Sequence, residues 1–300
     1  MPRRKTPILL ILCMLPALAT ANAPDCRDTD AALDYWRPVR EQAASENLPA
    51  NELAPQLVSC LGSPEPELRD RIGYELFTYW LRQEKLDDGT RTALLETLRD
   101  QLSRPGGETA LSRSFSALVL AEVMRSDANS PFMSDDDRQM LLDTAAAALE
   151  RETDFRGLDA EIGWVHPVAH MADLLWRFAL HPATTREQGR QLLAAVRTKV
   201  APTDVSYAFN EGDRLARAVS TLVRRDLVAP GEIVAWLEQF AAPQTMDKWS
   251  TAFQSPAGMA ELHNTKQFLR ALSDQLASLD IDDGIATTLD ELVSGFTQLI

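Results

Sequence analysis

The sequence predicts an all-α fold, built as a curved stack of antiparallel helix pairs: an α-solenoid of the HEAT-like kind. Three observations predict it. Helix start and stop signals recur along the whole chain. No segment carries an alternating run of valine, isoleucine or threonine that would read as a strand. Helices also come in pairs at roughly 40-residue intervals, the period of such arrays. A compact multi-helix bundle is the alternative. After the first 21 residues no linker or low-complexity segment divides the chain, so 22–300 reads as one domain. That length suits stacked repeats better than a single large core.

The chain starts MPRRKTPILLILCMLPALATANA. Arg3, Arg4 and Lys5 form a basic n-region, and Ile8 to Leu18 form an apolar stretch too short to span a bilayer comfortably. Ala19-Thr20-Ala21 is a small-x-small cleavage site, so residues 1–21 read as a secretory signal peptide. No later apolar run approaches membrane-spanning length. The expected destination is the periplasm or the outside of the cell. Cleavage would leave the protein three charges more negative than the full chain's −14. Such an acidic balance repels phosphate backbones and makes nucleic acid an unsuitable partner. Two of the three cysteines lie beyond the signal, Cys26 and Cys60. In an oxidising compartment this even pair is expected to form a disulfide.

Each helix has its own local justification. Asp30 to Asn47 is amphipathic. Ser63-Pro64-Glu65 opens a second helical segment with a cap, a first-turn proline and an acid near the positive end of the helix dipole. Its apolar face follows as Leu68, Ile72, Leu76, Tyr79 and Trp80. Thr90 to Ser103 stops at Pro105-Gly106-Gly107, and Glu108 to Arg125 follows. Ser134 with three acids leads a helix to about Arg151. Pro167 to Leu180 comes next, and Thr184 with Glu187 spells a capping box for its successor. Further helices cover about Tyr207 to Arg225, Pro230 to Phe240, Gly258 to Ser278 and Ile285 to the end.

Three of the four histidines fall between Arg156 and Pro182, and His166 and His170 sit four apart. Projected at about 100° per residue, His166, His170, Asp173, Arg177 and His181 form one polar stripe. Trp164, Val168, Met171, Leu174, Leu175 and Phe178 occupy the other side. Residues four apart on a helix can converge on one metal ion, as zinc-binding histidine pairs do. A third ligand would come from Asp159 or Glu161, with Asp173 orienting the His170 ring. Pro167 stands where a metalloprotease motif needs its glutamate. A solvated polar face accounts for the same pattern, with His166 as a cap.

Here the sequence resembles an uncharacterised bacterial family, domain of unknown function 2785. The resemblance rests on Arg156-Gly157, Gly163-Trp164, His166, Ala169-His170 and Asp173-Leu174-Leu175. Glu211 to Ala216 and Asn264 to Arg270 extend it, to cover roughly Asp70 to Ser278. It implies a helical-repeat fold and no established activity. Met171 departs from the family pattern, where a glycine is expected.

Two other polar clusters stand out. Glu211, Asp213, Arg214 and Arg217 share a helix on which Asp213 and Arg217 can pair four apart. His263 and Asn264 form the other. If these meet the histidine stripe, the inner helices build one concave polar groove, with Arg156, Asp159, Glu161 and Trp164 at its edge. The phosphate-cradling, dinucleotide, thiol-redox and serine-hydrolase motifs are all missing. The expectation is an exported binding module for a protein or peptide ligand, with no cofactor. A metal-assisted hydrolase using zinc on His166 and His170 is the alternative.

Overall fold

A computed structural model describes residues 22–105 and 110–298. The signal-peptide expectation falls on residues 1–21, outside them. The described chain is all-α apart from one two-residue pair of strands.

Helix α1 (Thr29–Glu41) starts where the Asp28 carboxylate accepts from Ala31 N–H. Helix α2 (Ala50–Leu57) runs into a short 3₁₀ turn, Val58–Gly62. Cys60 in that turn is bonded to Cys26, the pairing the even cysteine count implied. The next segment opens later than expected: Ser63 Oγ accepts from Glu65 N–H at 3.2 Å in the approach, and Pro66, with no side-chain cap, stands at the N-cap. It begins with wide π-helical turns over Glu67–Tyr74 and continues as α3 (Glu75–Arg82). Leu68, Ile72, Leu76 and Trp80 are fully buried, each worth roughly 1.5–3 kcal/mol of transfer free energy.

The wide turns place one charged residue inside. The Arg69 guanidinium donates to Ser63 O at 3.0 Å, to Asp70 Oδ1 at 3.0 Å and to Ile162 O at 2.8 Å, and lies 4.9 Å from the Phe115 ring centre. A buried arginine is tolerable because its donors are satisfied. It ties the first helices to the middle of the chain.

Helix α4 (Asp88–Ser103) is capped by Asp87, and α5 (Ala110–Asn129) is buried on nearly every side. Helix α6 (Asp135–Arg151) has the reciprocal capping box of Ser134 and Asp137. Strands β1 (Leu158–Asp159) and β2 (Gly163–Trp164) then pair antiparallel. The remaining helices are α7 (Pro167–Leu180), α8 (Arg186–Arg197), α9 (Glu211–Arg224), α10 (Pro230–Glu238), α11 (Pro256–Leu276) and α12 (Asp283–Gln298), with a 3₁₀ segment Trp249–Gln254 before α11. The box opening α8 is Thr185 with Gln188, one residue beyond the expected Thr184–Glu187. Thr184 instead donates its hydroxyl to Phe178 O, closing the end of α7.

The helices lie in two ranks. In one, α5 packs on α7, α7 on α9 and α9 on α11; these last three begin at 167, 211 and 256. In the other, α4 packs on α6, α6 on α8, and α10 on α12. Buried apolar side chains from Cys26 to Phe296 form a continuous cluster between them. Among the described residues, no helix is long and apolar enough to cross a membrane.

Candidate functional site

Helix α7 lies between α5 and α9, and its polar stripe is the centre of the site. The β1–β2 turn sets up its start. Asp159 Oδ1 accepts from Glu161 N–H at 2.9 Å and Ile162 N–H at 3.2 Å, which closes the turn. Gly163 takes a left-handed φ of 71°, and a side chain there would press on Pro66 at 3.3 Å. His166 N–H donates to Arg156 O at 3.0 Å. His166 is also left-handed, at φ 47° and ψ 44°, a conformation costing a non-glycine residue about 1–2 kcal/mol. It stands at the N-cap as expected, but its side chain caps nothing.

The ring is held sideways. Trp164 stacks on it at 5.1 Å between centres, and the Phe209 ring stands edge-on at 6.4 Å. His166 Nε2 lies 3.4 Å from Glu211 Oε1, an ion-pair distance too long for a strong hydrogen bond. Burial raises the pKa of Glu211. His166, together with the N–H groups of Glu211 and Phe209, outweighs that and holds it below the usual glutamate value.

His170 is closed in more tightly. Ser114 Oγ donates to Val165 O and accepts from His170 Nδ1 at 2.8 Å, which places the proton on Nδ1. Phe115 stands edge-on to the ring at 4.9 Å. Burial drives the pKa of His170 well below the ordinary histidine value, and the charges of His166 and Arg214 push the same way. The ring is therefore neutral at physiological pH.

One turn further along, the helix opens. Asp173 accepts from Arg214 and, at 2.7 Å, from Arg217, both on α9. Its burial raises its pKa, and the two guanidinium groups oppose the rise. On the α5 side, Glu122 takes two hydrogen bonds of 2.7 Å from Arg82, and Arg177 stands 3.5 Å away. Trp176 lies between guanidinium groups, 4.5 Å from Arg177 and 4.2 Å from Arg217. Burial lowers the pKa of Arg177 against the pull of Glu122, and Arg125 and Arg82 add to the drop.

Two adjoining cavities form a cleft here. One of about 250 Å³ lies over Arg82, Glu122 and Arg177, and one of about 560 Å³ lies over Ser220, Arg224 and Gln275. Trp176, Arg214 and Arg217 line both.

The expected site residues therefore divide. His166, His170, Asp173 and Arg214 come together along α7, and Asp213 stands exposed at the rim of the larger cavity. The stripe faces protein rather than water: His166, His170, Asp173 and His181 are all under a tenth exposed. Trp164, placed on the apolar side by projection, is 42 % exposed. Asp173 orients no histidine, because α9 supplies two arginines for it. Arg217 accordingly pairs with Asp173 rather than Asp213.

The other candidates lie elsewhere. Arg156 pairs with Asp154 at 2.7 Å and with Asp159 at 3.5 Å beside a separate surface hollow, and Glu161 is exposed. Asn264 holds the chain before α9, through Tyr207 N–H, Pro202 O and Val205 O, and His263 bonds Tyr207 O and Gln267. Among the described residues, no group of three or more histidine, cysteine, aspartate or glutamate side chains is gathered to hold a metal ion.

Four residues lining the cleft, Arg82, Glu122, Trp176 and Arg224, were not singled out from the sequence. Glu122 lies between Ala121 and Val123 in an apolar helix and gives no signal. Arg224 continues the stripe of Arg214, Arg217 and Thr221 at steps of three and four, so it was legible on α9.

No curated protein and no solved structure matches the chain. A family model does, over residues 98–273, beginning later than the Asp70 expected from the motifs. That span is more than half of the sequence, and the chain belongs to the family described as protein of unknown function (DUF2785).

Proposed function

We propose that this protein is an exported binding module: a single α-solenoid domain, residues 22–300, freed from its signal peptide and holding a polypeptide ligand along its inner rank. The observation that carries this reading is the continuity of the cleft. Its walls come from α3, α5, α7, α9 and α11, and the same three side chains line both of its cavities. Successive helices of one rank each add a strip of polar wall, as stacked repeats do when they bind extended partners. The disulfide supports an oxidising destination.

The test uses the rim. A photo-crosslinking residue placed at Asp213 faces the larger cavity; one placed at Ala194, exposed on α8, serves as the control. In the producing cell, irradiation is expected to join a polypeptide to the chain labelled at 213 and not to that labelled at 194. Equal labelling from both positions, or none from 213, overturns the reading.

A further inference from the structure

The cleft runs against the charge of the molecule. The chain has 44 acidic residues against 30 basic ones. Yet Arg82, Arg177, Arg214 and Arg217 gather around the buried carboxylates of Glu122 and Asp173, and Arg224 lines the adjoining cavity with Asp213 at the rim. Those two carboxylates are already occupied. Glu122 takes both of its short bonds from Arg82, and Asp173 takes one from each of Arg214 and Arg217.

A guanidinium has five donors. Arg214 and Arg217 each spend one on Asp173 while about a third of each side chain stays exposed. Arg177 makes no side-chain hydrogen bond among the described residues, and Arg224 makes only a 3.5 Å contact with Thr221 Oγ1. Positive charge is thus left over among the side chains that line the cleft.

The geometry points to a carboxylate-bearing peptide as the ligand of this cleft, with an acidic side chain seated at Arg177 and a second at Arg217 and Arg224. This rests on the binding-module reading above. Guanidinium forks match carboxylates in two-bond geometry, and such charge-assisted bonds are the strong ones. Trp176 holds two of the forks in place by cation–π contact. Neighbouring helices stand about 8–10 Å apart. An extended peptide advances about 3.3 Å per residue and turns alternate side chains to one face. Acids two residues apart, about 6.6 Å, therefore share a face and reach both seats with their side chains. A long polyanion is disfavoured by the chain's overall excess of acidic over basic residues.

Fluorescence anisotropy with labelled hexapeptides tests the proposal on the mature chain. One peptide alternates alanine with glutamate and has an amidated end. A second has glutamine for glutamate, and a third is the glutamine peptide with a free C-terminal carboxylate. The glutamate peptide is expected to bind at least about tenfold more tightly than the amidated glutamine peptide, the scale of losing charge-assisted bonds. Binding is expected to fade at about 1 M salt, where the Debye length is about 3 Å. Tight binding of the third peptide instead assigns the seat to a chain end and overturns the side-chain assignment. Arg224→Gln, which breaks no ion pair among the described residues, is expected to weaken the glutamate peptide at least about threefold. Arg217→Gln supplies a second variant nearer Asp173.

Equal affinity for the glutamate and amidated glutamine peptides, no saturable binding, unchanged affinity in both variants, or pyrophosphate displacing the glutamate peptide at lower concentration than unlabelled peptide overturns it. If crosslinking from 213 still captures a polypeptide, only the charge assignment has failed; if that is lost too, the binding module falls with it.

Discussion

The two ends of helix α7 and its middle carry the same kind of residue to opposite effect. At the start, His166 and His170 are shut in by Trp164, Ser114, Phe115 and Glu211. At the far end, His181 Nε2 lies 3.0 Å from the fully buried Asp127, which also accepts from Phe132 and Met133 N–H at 2.8 Å and from Arg138 at 2.9 Å. Between them, Asp173, Trp176 and Arg177 face a cleft. What differs is the neighbour. Where α5 offers Ser114, Phe115 and Asp127, the polar stripe is sealed; where α9 offers Arg214 and Arg217, space remains. Polar residues on one stripe thus divide into sealed and cleft-lining groups according to the side chains that meet them.

The largest effect is expected at the sealed far end. Asp127→Ala leaves the Phe132 and Met133 N–H groups without their acceptor, takes the buried carboxylate from Arg138 and His181, and should cost about 3–5 kcal/mol, read from the urea midpoint. The same carboxylate has a pH signature. Burial raises its pKa, but His181, the two backbone donors and Arg138 together hold it at about 2, against an ordinary 3.8. A depressed folded pKa means that the stability it adds is complete above 3.8 and disappears as pH falls toward 2. Asp127→Asn should remove that part of the acid decline.

At the other sealed end, His170→Ala opens a cavity and removes the partner of Ser114, for about 2–4 kcal/mol by urea denaturation. The unfolded chain binds a proton on this residue more readily than the folded one. Stability should therefore drop as pH falls below 6.5, the ordinary histidine value, and the decline should be shallower in His170→Ala.

The open middle should respond differently. Arg224→Gln should change stability by no more than about 0.5 kcal/mol, since Arg224 is exposed and among the described residues makes only a 3.5 Å contact with Thr221 Oγ1. A loss comparable to that of His170→Ala would make the cleft structural and erase the contrast. The smallest effect is expected from zinc. Among the described residues no three histidine, cysteine, aspartate or glutamate side chains are gathered to hold a metal ion, so equimolar zinc should leave the melting temperature unchanged in differential scanning fluorimetry. A clear rise would show that the sealed end rearranges around a metal.

Much of the scaffold was legible. The Ser134 capping box, the apolar stripe from Leu68 to Trp80 and the start of α7 at Pro167 follow from short-range chemistry, and each appears where expected. The Thr185 box fell one residue beyond its expected place because Thr184 found a better acceptor in Phe178 O. The site was legible in part. The stripe on α7 was visible, but helical projection takes its polar side for the wet side. That inference fails for a helix packed between two others, where both sides are interior.

The sequence by itself determined the all-α class, most of the helices though not α2, and the pairing of Cys26 with Cys60. Periodicity, caps and cysteine parity act over a few residues or need no geometry. Only the tertiary structure decided that Asp173 answers to Arg214 and Arg217 instead of His170, and that Glu122 closes the cleft from α5. Those partners lie on separate helices, and which side chains meet is set by how the helices stack, a relation that no local spacing encodes.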